Sequence, residues 1–303
     1  MARLGVIDLG SNSVRLVVYE TKREDAVKPF RTLVDEKKMA GLAAYVTDGA
    51  LSNAGIARAV AVLGDLLKLA DNLNCTRVDI FATAVLRNAA NSAEAVAAIE
   101  RESGLTIDLL SAADEAHLGF AGATCDRTIE RGTLVDIGGG STELTRIEDG
   151  RDFDNVSLGQ GSLSSYATFV RAILPDPEEM DAIVGAFFER LAALPNRDAY
   201  RAGTVYGIGG SVRAAAKMHA QLRQEAIRPK TMTADQIRAI LDTCRNDPDA
   251  FAHLALKASA ERIHTLVPGC LILGTLMGEL RAERLDICKY GVREGYLVER
   301  VLG

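Results

Sequence analysis

A strand, a turn of small residues and a returning strand occur near the start of the chain and again near its middle, and this repeat constrains the fold most. Residues 5–13 place Asp8 between an aliphatic run and a glycine turn, and residues 134–141 place Asp136 in the same position 128 residues later. Each segment has the composition of a β-hairpin with a tight turn. Two matching hairpins predict two related α/β halves.

Helical and strand patterns alternate along the rest of the chain. Apolar residues recur at helical spacing over 51–73, the short run Arg77–Ala82 has strand composition, and a third strand followed by glycines is predicted over 205–211. This alternation favours the α/β class. At 303 residues the chain exceeds the usual size of a single core, so we expect two domains, 1–120 and 121–303.

Charge, hydropathy and cysteine usage argue against several classes of protein. The net charge of −6 argues against general nucleic-acid binding, which depends on many Lys and Arg contacts to phosphate. The chain has neither a signal-peptide pattern at its start nor an apolar run of about 18 residues, so we expect no membrane span and a cytoplasmic location. The five cysteines are widely scattered, which favours free thiols over disulfides or zinc sites.

The two glycine turns have the composition of phosphate-binding turns. Glycine allows successive backbone N–H groups to point into one concave nest that binds anionic oxygens. Hydroxyl and amide side chains in the same turns add donors. An ordinary hairpin turn is the alternative for either turn alone, but the match between them favours one phosphate group at each. The residues concerned are Gly10, Ser11, Asn12 and Ser13 in the first turn and Gly138, Gly139, Gly140, Ser141 and Thr142 in the second.

Three carboxylates lie beside these turns and predict a cation. Asp8, Asp136 and Glu143 would repel a phosphate unless a positive charge lay between them and the substrate. Mg²⁺ prefers oxygen ligands and is commonly shared between one or two carboxylates and substrate phosphates. We therefore expect Mg²⁺ or another divalent cation as cofactor, with turn capping as the alternative role of the two aspartates.

Two further residues are candidates because of their place after predicted strands. Arg87 follows the strand Arg77–Ala82, and ligands gather at the carboxyl ends of strands in α/β folds. Its guanidinium suits phosphate, although a surface arginine is an equal alternative. Glu115 lies near a predicted helix start. An acid at this position interacts favourably with the helix dipole, so its presence there has an ordinary structural explanation.

Together, these segments resemble the exopolyphosphatase and guanosine pentaphosphate phosphohydrolase family. The resemblance continues through 207–211 and 291–295, and so covers nearly the whole chain. It is specific because the segments match in combination. Those that carry it are Asp8-Leu9-Gly10-Ser11-Asn12-Ser13, Ala82-Thr83-Ala84-Val85-Leu86-Arg87, Asp114-Glu115-Ala116 and Asp136-Ile137-Gly138-Gly139-Gly140-Ser141-Thr142-Glu143.

The resemblance implies a fold, a reaction and roles for the residues. The fold is the actin-like, sugar-kinase-like arrangement of two ribonuclease H-like domains with both hairpins facing a cleft, and the reaction is hydrolysis of a terminal phosphoanhydride by water. Glu115 matches the catalytic glutamate, Asp136 and Glu143 match acids that hold metal and water, and Arg87 matches a phosphate-contacting arginine. The third turn adds Gly209, Gly210 and Ser211 to the expected phosphate-binding residues.

The chain departs from the family pattern at two places. Ala112 stands where members usually carry Gly, and His117 where they carry Arg, so the match around Glu115 is looser than elsewhere. Long members append a helical domain related to His-Asp phosphohydrolases, and this chain resembles the short form without it. The departures bear on activity and on substrate length.

Several functions share these residues. The first is a magnesium-dependent exopolyphosphatase acting on inorganic polyphosphate, and the second is a phosphohydrolase acting on guanosine pentaphosphate. A kinase or ATPase with 207–211 as an adenosine loop and a non-catalytic actin-like sensor are the alternatives from other classes. Apolar residues over 262–280 fit either a homodimer contact or core burial.

Overall fold

The computed structural model describes residues 2–21 and 29–303, and the chain divides into two compact units. Unit 1 comprises Met1–Asp126 and Val292–Gly303, and unit 2 comprises Arg127–Gly291. Within the described ranges, no helix combines the length and the apolar character needed to span a bilayer.

Unit 1 is built on a five-stranded sheet in the order β3-β2-β1-β6-β7. The first three strands pair antiparallel, and β1, β6 and β7 pair parallel. A separate two-stranded ribbon, β4 and β5, follows a 3₁₀ turn at Leu42–Tyr45. The strands are β1 Arg3–Leu9, β2 Ser13–Thr21, β3 Phe30–Met39, β4 Val46–Thr47, β5 Ala50–Leu51, β6 Arg77–Ala82 and β7 Ile107–Leu109.

The helices of unit 1 lie between these strands and after them. Helix α1 begins where the Ser52 hydroxyl accepts a hydrogen bond from the Gly55 N–H, and it buries Val62, Leu63 and Leu66 on one face at helical spacing. These side chains pack with aliphatic residues of β1 and β2 in one core. The helices are α1 Asn53–Asn72, α2 Ala84–Arg87, α3 Ser92–Ser103, α4 Ala112–Ala123 and α11 Val292–Tyr296, which is followed by a π-helical turn at Leu297–Val301.

Unit 2 contains a six-stranded sheet in the order β10-β9-β8-β11-β13-β12. Its core is formed by strand residues and by α10, whose apolar side chains are buried within the unit. Core burial therefore accounts for the apolar residues over 262–280, and the homodimer stays a prediction. The elements are β8 Gly132–Ile137, β9 Thr142–Glu148, β10 Arg151–Leu158, α5 Ser162–Phe169, α6 Pro177–Ala192, β11 Thr204–Ile208, α7 Gly209–Leu222, β12 Thr231–Met232, α8 Ala234–Asn246, α9 Pro248–Ser259, α10 Ile263–Glu279 and β13 Arg284–Ile287.

The two units share one strand topology. In each, a meander of three antiparallel strands is followed by two strands parallel to the first, and among the described residues of the two main sheets only β12 lacks a counterpart in unit 1. The first hairpin of each unit has the same register, because Asp8 opposes Arg15 and Asp136 opposes Glu143, each seven residues later. The predicted duplication of an α/β unit is thus present residue by residue in the hairpins.

The division into units differs from the expected break at residue 120. Helix α4 runs without interruption from Ala112 to Ala123, so a boundary at 120 would cut through it. The last twelve residues, Val292–Gly303, pack with unit 1 rather than with the residues that precede them. Local patterns do not indicate such a return, because the contacts join positions almost 300 residues apart.

Candidate active site

The first glycine turn is closed by one internal hydrogen bond, and its carbonyl groups accept hydrogen bonds from the segment that follows β3. The Gly10 N–H donates to the Ser13 carbonyl at 3.2 Å. The Asn12 carbonyl accepts from the Ala40 and Gly41 N–H groups at 3.1 and 2.8 Å, so the turn is held against the segment that follows β3. The backbone carbonyls of the turn therefore point into the protein.

The second turn repeats this construction with different supports. The Gly138 N–H donates to the Ser141 carbonyl at 2.9 Å. The Gly138 carbonyl accepts from the Ser162 N–H, and the Gly139 carbonyl accepts from two further N–H groups at the start of α5, each at 2.9 Å. The turn is thus anchored on the first turn of a helix.

The anchored carbonyls leave a row of donors in each turn without a protein partner. The N–H groups of Ser11, Asn12, Gly139 and Gly140 donate to no other group in the described parts of the chain. All four residues are partly exposed. Adjacent N–H groups that face solvent from a fixed turn form a nest for anionic oxygens. Both turns therefore have the donors that such a nest requires.

Two of the predicted phosphate-binding hydroxyls have another contact in the structure. Thr142 is fully buried, and its Oγ1 donates to the Gln160 carbonyl at 2.7 Å. The Ser211 Oγ donates to the Ile137 carbonyl at 2.9 Å. Their protons are committed to backbone carbonyls, so these hydroxyls fix the second turn and the start of α7 rather than reach a ligand.

Asp136 and Glu143 lie opposite each other on the second hairpin. They are register partners on β8 and β9, so both side chains are on one face of the sheet. Glu143 is 3% exposed and accepts a hydrogen bond from the Ser157 Oγ at 2.8 Å. Two carboxylates at directly opposed positions are close enough to share one cation.

The third turn meets this pair at Gly209. Its φ of +82° is a left-handed conformation that favours glycine, and a Cβ there would overlap an Asp136 carboxylate oxygen. Gly210 is equally crowded, because the guanidinium of Arg262 lies against it. Sequence patterns did not identify Arg262. The structure thus brings Gly209 to one predicted acid and Gly210 to an unforeseen arginine.

The acids of unit 2 fit a divalent cation whose remaining ligands are supplied by water and substrate phosphates. Across the described residues, no group of three or more His, Cys, Asp or Glu side chains is arranged to hold a metal ion by itself. Mg²⁺ does not require such a group, since it keeps several waters and is often held by one or two carboxylates together with phosphate oxygens. Asp136 and Glu143 provide that number of ligands.

Arg87 and Glu115 lie together in unit 1. Arg87 ends α2, and Glu115 lies in the first turn of α4, whose N-terminus is capped by the Ser111 hydroxyl. Arg87 Nη1 donates to Glu115 Oε2 at 2.8 Å and to the Leu110 carbonyl at 3.0 Å. The two side chains are 17% and 13% exposed. No acceptor among the described residues bonds Nε or Nη2 of Arg87, so two nitrogens of its fork remain for a phosphate.

Asp8 has a partner that was not foreseen. Arg293 Nη1 donates to Asp8 Oδ2 at 2.9 Å. Burial works against the charged guanidinium, but the neighbouring charges of Asp8 and Glu294 outweigh it and raise the pKa of Arg293. An arginine in contact with Asp8 would repel a divalent cation, so this residue fits the expected metal role less well than Asp136 does. The only sequence signal for Arg293 was its place in the matched segment 291–295.

The two departures from the family pattern lie on α4. Ala112 is its first residue, and His117 Nε2 is 2.9 Å from Glu299 Oε2. His117 therefore faces the C-terminal segment. Neither residue contacts Arg87 in a described hydrogen bond, and the pair formed by Arg87 and Glu115 is complete without them.

Comparisons with known proteins identify the family to which the chain is similar. The sequence profile of the Ppx/GppA phosphatase family matches residues 17–303. Exopolyphosphatase 1 of Mycobacterium leprae is 25% identical, with 99% of this chain and 89% of that protein covered. Exopolyphosphatase 1 of Mycobacterium tuberculosis (strain ATCC 25618 / H37Rv) is also 25% identical, covering 99% and 88%.

Solved structures show the same fold. The Ppx/GppA family member of Aquifex aeolicus superposes with a TM-score of 0.78 at 24% identity, covering 99% of this chain and 98% of that chain. An exopolyphosphatase from Cytophaga hutchinsonii superposes with a TM-score of 0.85 at 20% identity, with the same coverage. At these identities the likeness concerns the fold alone, and it confirms the expected α/β class of two actin-like units.

Proposed function

The chain belongs to the Ppx/GppA phosphatase family, and from this membership we propose that it is an exopolyphosphatase, which removes the terminal phosphate of inorganic polyphosphate by hydrolysis. The curated relatives named above carry that name and match almost the whole chain. Their identity of 25% supports the class of reaction more strongly than the choice of substrate.

The observation that carries the proposal is the pair of matched turns with free donors. Four N–H groups, those of Ser11, Asn12, Gly139 and Gly140, are held outward by turns whose carbonyls are fastened inside the protein. A chain with one such turn could bind an isolated anion. This chain has one on each of its duplicated hairpins, and each has the donors that a phosphate group requires.

Arg87 and Glu115 supply the groups that the chemistry requires. The two nitrogens of Arg87 that lack protein acceptors can donate to the terminal phosphate, where charge spreads over its oxygens as the bond breaks. In this proposal Glu115, which Arg87 holds by a hydrogen bond, aligns a water molecule and accepts its proton. The water oxygen bonds to the terminal phosphorus, and the bond from that phosphorus to the bridging oxygen breaks. The shortened chain leaves with the electron pair of the broken bond.

Asp136 and Glu143 are the residues that would hold Mg²⁺ or a similar cation. When bound there, such an ion supplies positive charge to phosphate oxygens of the substrate. Ser157 fixes the orientation of the Glu143 carboxylate through its hydrogen bond at 2.8 Å. Gly209 leaves room for the Asp136 carboxylate, which a side chain at that position would displace.

Guanosine pentaphosphate is the competing substrate, because it ends in the same kind of phosphoanhydride. Arg262 lies against Gly210 at the start of α7, so a guanidinium is present beside the third turn. Because the same type of bond is broken in both substrates, only a comparison of their hydrolysis rates can show which one the protein prefers.

The proposal is tested by phosphate release from tripolyphosphate, long polyphosphate and guanosine pentaphosphate, each with Mg²⁺. We expect release from polyphosphate at the highest kcat/KM, and a loss of about 10²-fold or more in kcat for Glu115→Gln. Glu94→Gln, which alters an exposed glutamate on α3, is the matched control and should keep full activity. Binding of tripolyphosphate without release from any substrate would indicate a sensor and overturn the proposal.

A further inference from the structure

The C-terminal segment inserts an arginine beside the first phosphate turn. Arg293 Nη1 lies 2.9 Å from Asp8 Oδ2, although 285 positions separate the residues in the chain. The side chains are 17% and 22% exposed, so most of the pair is removed from solvent. Asp8 precedes Gly10 by two residues, and its other oxygen would lie 3.6 Å from a Cβ on that glycine. The ion pair therefore lies directly beneath the turn.

The residue after Arg293 is fixed as well. Glu294 is 8% exposed, and its Oε1 accepts a hydrogen bond of 2.7 Å from the hydroxyl of Tyr19 on β2. The Tyr19 ring packs edge-on against Phe30 on β3. Burial and the Glu294 charge raise the pKa of Tyr19, so this hydroxyl remains a donor at neutral pH. The backbone at 293–294 is thus tied to β1 and β2 together.

The same segment is tied to the helix that carries Glu115. Gly295 packs so closely against α4 that a Cβ there would overlap the Leu118 carbonyl. Beyond it, Arg300 Nη2 is 3.0 Å from Asp114 Oδ1, and Glu299 pairs with His117. Residues 293–300 therefore contact both β1, the strand that leads to the first turn, and α4, the helix that carries Glu115.

We propose that Arg293 is a positioning residue of this enzyme, which fixes the first phosphate turn through Asp8, and that Asp8 is its counter-ion rather than a ligand of the divalent cation. This inference rests on the proposed function, because it assigns Arg293 to the hydrolytic site. Asp8 is the carboxylate that corresponds to Asp136 in the duplicated hairpin. The surroundings of the two acids have diverged, since Arg293 donates a hydrogen bond to Asp8 and Glu143 lies opposite Asp136.

Charge explains why the two roles exclude each other. A guanidinium in hydrogen-bond contact with a carboxylate already compensates its charge, and a divalent cation on the same carboxylate would lie a few ångströms from that guanidinium. Removing either member of a largely buried ion pair leaves an uncompensated charge. Loss of Arg293 or of Asp8 should therefore disturb the same turn to a similar extent.

A double-mutant cycle measures this coupling. The variants are Asp8→Asn, Arg293→Ala and the double variant, assayed for kcat and KM on tripolyphosphate and for tripolyphosphate affinity by calorimetry. We expect each single change to lower kcat/KM at least tenfold and the double variant to be no worse than the poorer single, which corresponds to a coupling of about tenfold or more. The exposed pair Asp235 and Arg238 on α8, 2.7 Å apart, provides the control cycle and should leave the activity unchanged.

Two further readouts separate positioning from loss of folding and from metal binding. Guanidinium chloride at millimolar concentration should restore part of the Arg293→Ala activity, because the ion can occupy the vacated position beside Asp8. Mn²⁺ binding, followed by electron paramagnetic resonance, should keep its affinity within twofold in Asp8→Asn and fall at least tenfold in Glu143→Gln.

Three results would overturn the inference. They are additive effects of the two single changes, no rescue by guanidinium, or a tenfold loss of Mn²⁺ affinity in Asp8→Asn. Failure of the proposed function is distinguishable, because it would appear as absent phosphate release in the unaltered protein. The calorimetric cycle on tripolyphosphate binding and the Mn²⁺ titration would still decide the role of Arg293 in that case.

Discussion

Nη1 of Arg87 lies 2.8 Å from Oε2 of Glu115, so the proposed phosphate ligand also orients the proposed acceptor of the water proton. A second contact, from Nη1 to the Leu110 carbonyl at 3.0 Å, fixes the guanidinium against the end of β7. The remaining nitrogens of the fork are therefore directed by the protein before substrate arrives. Such preorganised donors account for a large part of the rate enhancement in phosphoryl transfer.

Replacement of Arg87 should affect the reaction more than the fold. We predict that Arg87→Ala lowers kcat/KM for polyphosphate by about 10²-fold or more, as the loss of a charged donor to the transferred group does elsewhere. Arg87→Lys should retain only part of the activity, because an ammonium group lacks the planar fork. The steady-state rate of phosphate release measures both. Arg101→Ala, on the exposed face of α3, should match the unaltered protein, and an active Arg87→Ala would exclude Arg87 from the site.

The support of the second turn can be tested with two neighbouring glycines. A Cβ on Gly161 would lie 2.6 Å from the Gly138 carbonyl, whereas a Cβ on Gly159 meets nothing closer than 4.0 Å. We predict that Gly161→Ala displaces the turn and weakens tripolyphosphate binding about tenfold or more, and that Gly159→Ala does not. Calorimetry gives the affinities. Equal affinities for the two variants would mean that the turn does not bind phosphate.

The hairpins show what could be inferred from sequence. Turn-forming residues after an aspartate are a local signal, so the turns of both hairpins, the strand Arg77–Ala82 and the helix over 51–73 were predicted with correct bounds or nearly so. Strands β3 and β10 were missed. Both are edge strands with several charged residues, and such composition protects an edge from further pairing while it obscures the strand pattern.

The contacts that complete the site were beyond local patterns. No periodicity relates Asp8 to Arg293, because their meeting depends on the return of the chain end to unit 1. Hydroxyl groups are equally hard to interpret from sequence: Thr142 and Ser211 have the residue type of phosphate ligands, and both donate to backbone carbonyls in the structure. A buried backbone carbonyl needs a hydrogen-bond donor, and so does a bound phosphate. The residue type of a hydroxyl side chain does not show which of the two it serves.

The cap of α4 should contribute stability that depends on pH. The Ser111 hydroxyl accepts from the Asp114 N–H at 3.0 Å and donates to the Asp114 carboxylate. This hydrogen bond lowers the pKa of Asp114 below its ordinary value of 3.8, with partial burial opposing it. A lowered pKa means that the ionised carboxylate stabilises the fold above about pH 4 and loses this effect as the pH falls through the lowered value.

We predict that Ser111→Ala costs about 1 kcal/mol of unfolding free energy at pH 7 through the lost cap. The difference from the unaltered protein should become smaller below about pH 4, where protonation of Asp114 removes the charged part of the interaction. Urea unfolding at pH 7 and at pH 3 measures both values. Ser103→Ala, at the end of α3, is a control without a carboxylate partner. A difference that grows on acidification would contradict the assignment.

The Mg²⁺ concentration that the reaction requires should depend on the acids of unit 2 and on Ser157, which orients Glu143. We predict that EDTA abolishes phosphate release, that Glu143→Gln raises the Mg²⁺ concentration for half-maximal activity by more than tenfold, and that Ser157→Ala raises it by about tenfold. Glu148→Gln, at the end of β9, should leave it unchanged. A Mg²⁺ requirement that is the same in all of these variants would place the cation elsewhere.

The most direct test of the central claim is the fate of the water oxygen. Tripolyphosphate is hydrolysed in ¹⁸O-labelled water with Mg²⁺, and the released orthophosphate and the residual pyrophosphate are analysed by mass spectrometry. Attack on the terminal phosphorus, guided by Glu115, predicts one ¹⁸O atom in each released orthophosphate and none in the pyrophosphate, with the rate greatly reduced in Glu115→Gln. Label in the pyrophosphate, or release that Glu115→Gln leaves unchanged, would contradict the account.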